Sequence, residues 1–389
     1  MSATVEFLAA AVRVALGSSE ALAWPEDADV AELIAAADHH GVLVLLGRAL
    51  PSIAAPAAVQ TAIHPLIRNR TERALILVRQ LRTLVQLLDG EGIEVLPVKG
   101  PVLAATAYGD AAMRGVSGDL DLVVRASELD RAVAILETIH YRRVEPALDE
   151  HDHEEWANEA HLLPRSASEG TLVELHAELI GNFYTAPVDL DAVLARSAQR
   201  PILGASFRII AAEDLILYLC LHGARHMWSR LLWTADVAAL LRQRAQIDWA
   251  ALLERADAID AGLRLAVGLR LAVDLFHAEV PELVRTRLFR ARVMRTARLA
   301  RRQMVATSFG VKRPPLLMRA RCELAVRETG AQRLTWLRKQ LAPNARDRAM
   351  IALPRGFGWL RWIIRPFRLL VRFGGAVPIP HGESPREER

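Results

Sequence analysis

Cysteine is nearly missing from this chain. Cys220 and Cys322 are the two present, each in an apolar, helix-like context. A disulfide framework and a cysteine-rich metal site are thereby excluded, and a reduced, cytoplasmic compartment is expected. Aromatic residues make up 5% of the sequence, and no run of 18 apolar residues occurs, so no membrane-spanning helix is expected. The first residues, Met1 to Leu16, carry Glu6 where a secretion signal would carry bases, and they lack a separate apolar core and a cleavage motif. Neither sign of charge dominates. The net charge is +4 over 389 residues, so the chain is no polycation and no specific nucleic-acid partner is expected.

What is abundant is aliphatic and charged. Hydrophobic residues make up 52% and charged residues 24%, the balance of an ordered globular chain. Alanine, leucine and arginine dominate, which favours helices. The length allows two or three domains. The pattern predicts an α+β fold, in which a small mixed sheet is flanked by an N-terminal and a larger C-terminal helical region. The expected boundaries are a helical region over 1–65, the sheet-bearing core over 66–200, a helical domain over 201–350, and a basic amphipathic segment and tail over 351–389. Residues 65–91 read as one long amphipathic helix with Leu75, Leu77, Val78, Leu81, Leu84, Val85 and Leu88 at helical spacing. Ile93 to Val98 is β-prone, and Pro101 suits the first turn of a helix running to Tyr108. Leu120 to Val124, Tyr141 to Val144, His161 to Pro164 and Thr171 to Leu175 read as strands, and Ser127 reads as a helix cap.

The chemistry is concentrated between Lys99 and Val124. Asp119 and Asp121 stand two apart at the start of a strand, so both carboxylates face one side while Leu120 and Leu122 face the core. Two adjacent carboxylates repel unless a cation lies between them, and Mg2+ bridges carboxylates to substrate phosphates. Two such ions clamp the attacking and leaving oxygens of a phosphoryl displacement. Glu174, in the apolar strand around Leu172 to His176, is the candidate third carboxylate, since a charge in such a strand needs a reason. His176 shares its face, and His161 is expected nearby.

These residues resemble the polymerase-beta-type nucleotidyltransferases and, more narrowly, the bacterial family of uncharacterised nucleotidyltransferases. The likeness rests on Lys99-Gly100, Tyr108, Arg114, Asp119-Leu120-Asp121 and Glu174-Leu175-His176, in that order. It continues through the histidine-bearing stretch Leu221 to Leu231 and the Asp236-Val237-Ala238 helix. A Gly-Ser turn usual in the superfamily is Lys99-Gly100 here, and Ala177 stands where the strand is usually followed by Trp. The resemblance implies transfer of a nucleoside monophosphate from an NTP to an acceptor, with Asp119, Asp121 and Glu174 holding two Mg2+ ions. It further implies that Gly100 lets the backbone approach phosphate, that Lys99 and Arg114 offset phosphate charge, and that Ser117 donates to a phosphate oxygen. His222 and His226, four apart on one helix face, have a zinc-like spacing, but the resemblance makes them, with Asp236, supporting or substrate-contacting groups. The run His151 to Glu155 reads as a solvated loop. The competing reading is a nucleotide-binding accessory protein of a biosynthetic system, without transferase turnover.

One stretch points elsewhere. From Arg333 to Arg372 there are ten basic residues and one acid, Asp347. Arg361, Arg365, Arg368 and Arg372 fall on one helical stripe, so residues 357–373 are expected to make peripheral contact with an anionic membrane. That would favour tailoring of a secreted polymer or peptide at the membrane.

Overall fold

The computed structural model describes residues 2–115, 118–144, 158–166, 170–180, 188–243, 247–308, 316–342 and 359–365. The chain begins with three helices, α1 (Ala3–Ala15), α2 (Val30–His39) and α3 (Leu43–Ala49), and then the long α4 (Ala57–Gly90). The sheet-bearing part follows as β1 (Leu96–Pro97), α5 (Gly100–Tyr108), β2 (Asp119–Val123), α6 (Leu129–Thr138), β3 (Tyr141–Val144), β4 (Glu159–Pro164) and β5 (Leu172–His176). After α7 (Leu190–Arg196) come the hairpin strands β6 (Ala198–Ile202) and β7 (Ala205–Ile209). Helices α8 (Ala212–Arg225), α9 (Leu231–Arg242), α10 (Trp249–Ala258), α11 (Gly262–Phe276), α12 (Glu282–Leu288), α13 (Ala291–Ser308), α14 (Leu316–Val326) and α15 (Gly330–Leu341) follow.

Short polar side chains start several of these helices by accepting otherwise unpaired first-turn amides. Asp29 accepts from Ala31 and Glu32, Asp189 from Ala192, Asp248 from Ala251 and Thr329 from Gln332. Ser127 does not act in this way. A 3-10 turn over Ala126–Glu128 precedes α6, and Glu128 at its start makes no side-chain cap. The helix expected from residue 65 begins earlier, at Ala57, and continues through Pro65. The lost hydrogen bond at Pro65 is offset by burial of Val59 and Ile63 in the turns before it. Leu75 is 62% exposed, and the buried stripe runs instead through Ala74, Leu77, Leu81, Leu84 and Leu88. The spacing of three and four keeps that stripe on one face. The hairpin of β6 and β7 was not foreseen. Leu203 and Gly204 connect its strands, both at positive φ (54° and 72°), as a two-residue type I′ turn uses.

The sheet has the order β1-β2-β5-β4-β3. β2 and β5 lie parallel at its centre, and the remaining pairs are antiparallel. β1 is an edge, which tolerates Pro97. Alternation divides the strands cleanly. Leu120, Leu122, Ala160, Leu162, Val173 and Leu175 pack with α4 and α6 in one core. A second core is built by helices α1 to α3 and α8 to α13 together, and Val123 and Leu103 join it. The helical regions before and after the sheet therefore share one core, and the expected boundary at 65/66 falls inside α4. The polar face of the sheet is turned toward this helical body.

Of the four arginines in the C-terminal stripe, Arg361 and Arg365 lie in the described residues. Arg365 is buried, with Nε donating to the carbonyl oxygen of Gln340 at 2.8 Å. Arg368 and Arg372 lie outside the described residues, as do Ser117 and the run His151 to Glu155. Among the described residues, no helix is long and apolar enough to cross a membrane.

Candidate active site

Polar side chains gather on the sheet face opposite the α4–α6 core, among them Asp119 and Asp121 on β2, Glu174 and His176 on β5, and Glu159 and His161 on β4. Pairing sets their neighbours. Asp121 stands opposite Glu174, Glu174 opposite His161, and His176 opposite Glu159. Side chains directly across a ladder come within reach of one another. His176 Nε2 is 3.4 Å from Asp121 Oδ1 and 3.5 Å from Glu174 Oε2, while its Nδ1 is 3.2 Å from Glu159 Oε1. His161 lies 3.5 Å from Glu159 and 3.9 Å from Glu174.

The loop between β1 and α5 closes one side. The Val98 amide donates to the Asp121 carbonyl, and Lys99 Nζ donates to Asp121 Oδ1 at 2.6 Å. Gly100 follows with φ of +58°, a left-handed conformation that strains any residue with a Cβ. The turn into α5 therefore depends on glycine here. From the helical body, Tyr218 on α8 comes near the Lys99 ammonium.

The electrostatics follow from this crowding. Burial alone would raise the Asp121 carboxyl, but Lys99 and His176 outweigh it and hold the group far below the usual carboxylate range. Asp119 is pushed up to about 6, by burial first and then by Asp121 and Glu174. Burial opposes the charged form of His176, but Asp121, Glu159 and Glu174 raise it well above an ordinary imidazole. Glu159 is lowered because His161 and His176 overcome its burial. Burial pushes the Tyr218 phenol up to about 12, against the pull of Lys99.

Asp121, Glu174 and His176 each offer a ligand atom, and these atoms lie within 4.8 Å of one another. Asp121 Oδ2 and His176 Nε2 are buried without a hydrogen-bond partner. Orphaned buried polar atoms are uncommon, and these two belong to side chains that could hold a cation.

Other expected groups sit elsewhere. Arg114 is buried and makes a bidentate pair with Asp236, Nε to Oδ1 at 2.9 Å and Nη2 to Oδ2 at 2.8 Å. Tyr108 also donates to Asp236 Oδ1, at 2.8 Å. The guanidinium of Arg114, expected at phosphate, instead ties the loop after α5 to α9 in this structure. Asp236, expected as a supporting or substrate-contacting group, accepts from both Arg114 and Tyr108. His222 and His226 do share a face, but among rings. His222 stacks on Tyr218, and His226 stacks on Trp233 at a centroid distance of 4.8 Å. Burial foremost keeps His222 well below its ordinary pKa. Glu159 and Tyr218 escaped the sequence reading. The alternation of polar and apolar residues from Glu159 to Leu162 was a signal for the first, while Tyr218 lies in a helix with no local mark of a site.

Residues 26–277 match a family model described as uncharacterised nucleotidyltransferase. No curated protein shows significant similarity to the chain. Among solved structures, the solution structure of the antibiotic-resistance factor ANT(2'')-Ia matches with 12% identity and a TM-score of 0.28. The match covers 60% of this chain and 95% of that one, and the likeness is too slight to build on.

Proposed function

Because the chain belongs to the family of uncharacterised nucleotidyltransferases, transferases of phosphorus-containing groups, we propose that Asp119, Asp121 and Glu174 serve a metal-dependent transfer of a nucleoside monophosphate from an NTP to an acceptor. The observation that carries this reading is the pairing of Asp121 with Glu174 on parallel strands, with Asp121 Oδ2 buried and unpartnered. Such a donor set fits a divalent cation, with Mg2+ as the first expectation. When bound, the ion would offset charge on the triphosphate and on the leaving pyrophosphate.

The chain's own groups complete the site. An acceptor oxygen attacks the α-phosphorus, and the bond to the pyrophosphate oxygen breaks. Lys99, already held at Asp121, stands where it can meet triphosphate charge. The Gly100 turn brings the first turn of α5 beside Asp121, where free amides and the helix dipole favour anions. Arg114 and Asp236 hold the loop between α5 and β2 and do not touch phosphate.

The test uses the full chain with each NTP labelled at the α-phosphorus, a divalent ion, and panels of hydroxyl-bearing and phosphate-bearing acceptors. Pyrophosphate release with transfer of label, lost in Asp121→Asn, is the expected result. NTP binding without release across all acceptors and ions would overturn the transferase reading in favour of an accessory nucleotide-binding protein.

A further inference from the structure

We infer that His176 is itself a ligand of the metal, through Nε2 beside Asp121 and Glu174, and that this mixed nitrogen–oxygen set binds Mn2+ more tightly than Mg2+. The inference rests on the metal-dependent reading above and changes the ion and the ligand set. Three observations carry it. The ligand atoms of the three residues lie within 4.8 Å of one another. Cis ligands about one ion stand roughly 3 Å apart at ordinary bond lengths, and Nε2 is already 3.4 Å and 3.5 Å from the two carboxylates. Asp121 Oδ2, on a side chain only 2% exposed, and His176 Nε2 are both buried without a hydrogen-bond partner.

The third observation is the orientation of the ring. His176 Nδ1 is 3.2 Å from Glu159 Oε1, on the neighbouring strand. A ligating histidine characteristically gives its other ring N–H to a carboxylate, which fixes the tautomer and aims the free nitrogen at the ion. Glu159 is thus a positioning residue. Glu159 also lies 3.5 Å from His161, so the carboxylate it adds to a face already holding Asp119, Asp121 and Glu174 is answered by two rings, of which His176 is the one beside Asp121 and Glu174. An imidazole donor suits the transition-metal series, and Mn2+ accepts both imidazole and carboxylate, whereas Mg2+ is selective for oxygen.

The experiment loads the full chain with Mn2+ alone and records pulsed electron paramagnetic resonance. Modulation from a directly bonded nitrogen is expected. It should change when the protein is grown with heavy-nitrogen histidine and should vanish in His176→Gln. The Mn2+ Kd should rise on the order of tenfold to a hundredfold in His176→Gln and in Glu159→Gln. The isotope comparison uses unsubstituted protein, so it stands even if a variant fails to fold. Mn2+ bound with oxygen ligands only, or bound no more tightly than Mg2+, overturns this inference and leaves the transferase reading intact. Failure to bind any divalent ion, with or without NTP, overturns both.

Discussion

Asp121 and Glu174 lie directly across from each other on the two parallel strands at the centre of the sheet, although 53 positions of sequence separate them. Two acids so placed on a half-buried face cost stability unless cations answer them. Lys99 answers part of that charge at 2.6 Å. Glu174→Gln should therefore abolish nucleotidyl transfer while the protein stays folded. Asp121→Asn should abolish transfer and also lower stability, because the largely buried Lys99 loses its carboxylate. A loss of roughly 3 kcal/mol is expected for breaking such a pair. Pyrophosphate release and urea unfolding measure the two effects. Near-normal release in either variant would remove that residue from the chemistry.

Arg114 and Asp236 make a second, fully interior pair whose work is structural. Arg114→Lys cannot reproduce a bidentate contact and leaves Asp236 partly unpaired. We expect a loss of about 3–5 kcal/mol in urea unfolding. The NTP Kd of the protein that remains folded should be unchanged. A large rise in that Kd without loss of stability would restore the phosphate-binding role expected from sequence.

How much of this was legible follows from where the signal lay. Asp119, Asp121 and Glu174 were visible because strand alternation has a period of two and leaves apolar neighbours on the opposite face. The small sheet and the helical regions around it were visible for the same reason of periodicity. The partner of Arg114 was not, since its contact spans 122 positions and no local pattern encodes it. The Leu203-Gly204 hairpin was hidden because leucine is a poor signal for positive φ. The shared core of the first and last helices was equally hidden, because amphipathic faces do not name their partners.

Gly223, in the last turn of α8, has no room for a side chain. A Cβ there would stand 2.5 Å from Trp228 Nε1. The indole is buried, and Trp228 and Met227 both hold positive φ (45° and 54°), so the turn cannot relax freely. Gly223→Ala should cost about 1–3 kcal/mol by overpacking. It should also disturb the neighbouring His222, and through it Tyr218 and Lys99, so that transfer falls along with stability. Calorimetry with a parallel activity assay checks this. Unchanged melting would mean that the indole has another place to go.

His40 gives the pH prediction. Its ring is fully buried between α2 and α9, and the Leu231 amide donates to Nδ1 at 3.4 Å, which requires that nitrogen to be unprotonated. Burial, with His39 and Arg230 adding to it, lowers the ring to about 3. An unfolded histidine titrates near 6.5. A depressed folded value means that the contribution is complete above the unfolded pKa and is lost as pH falls from about 6.5 toward 3. The slope from one such group is at most about 1.4 kcal/mol per pH unit. His176 acts in the opposite sense and in another window, because its raised value adds stability that is lost only as pH climbs above 6.5. Between pH 6.5 and 4 the two do not mask each other. His40→Asn keeps an acceptor near the Nδ1 position but cannot titrate. Its stability at neutral pH should be lower than that of the natural chain, and its acid slope shallower by up to one proton. Equal slopes in urea unfolding across that range would show that His40 is protonated in the folded protein.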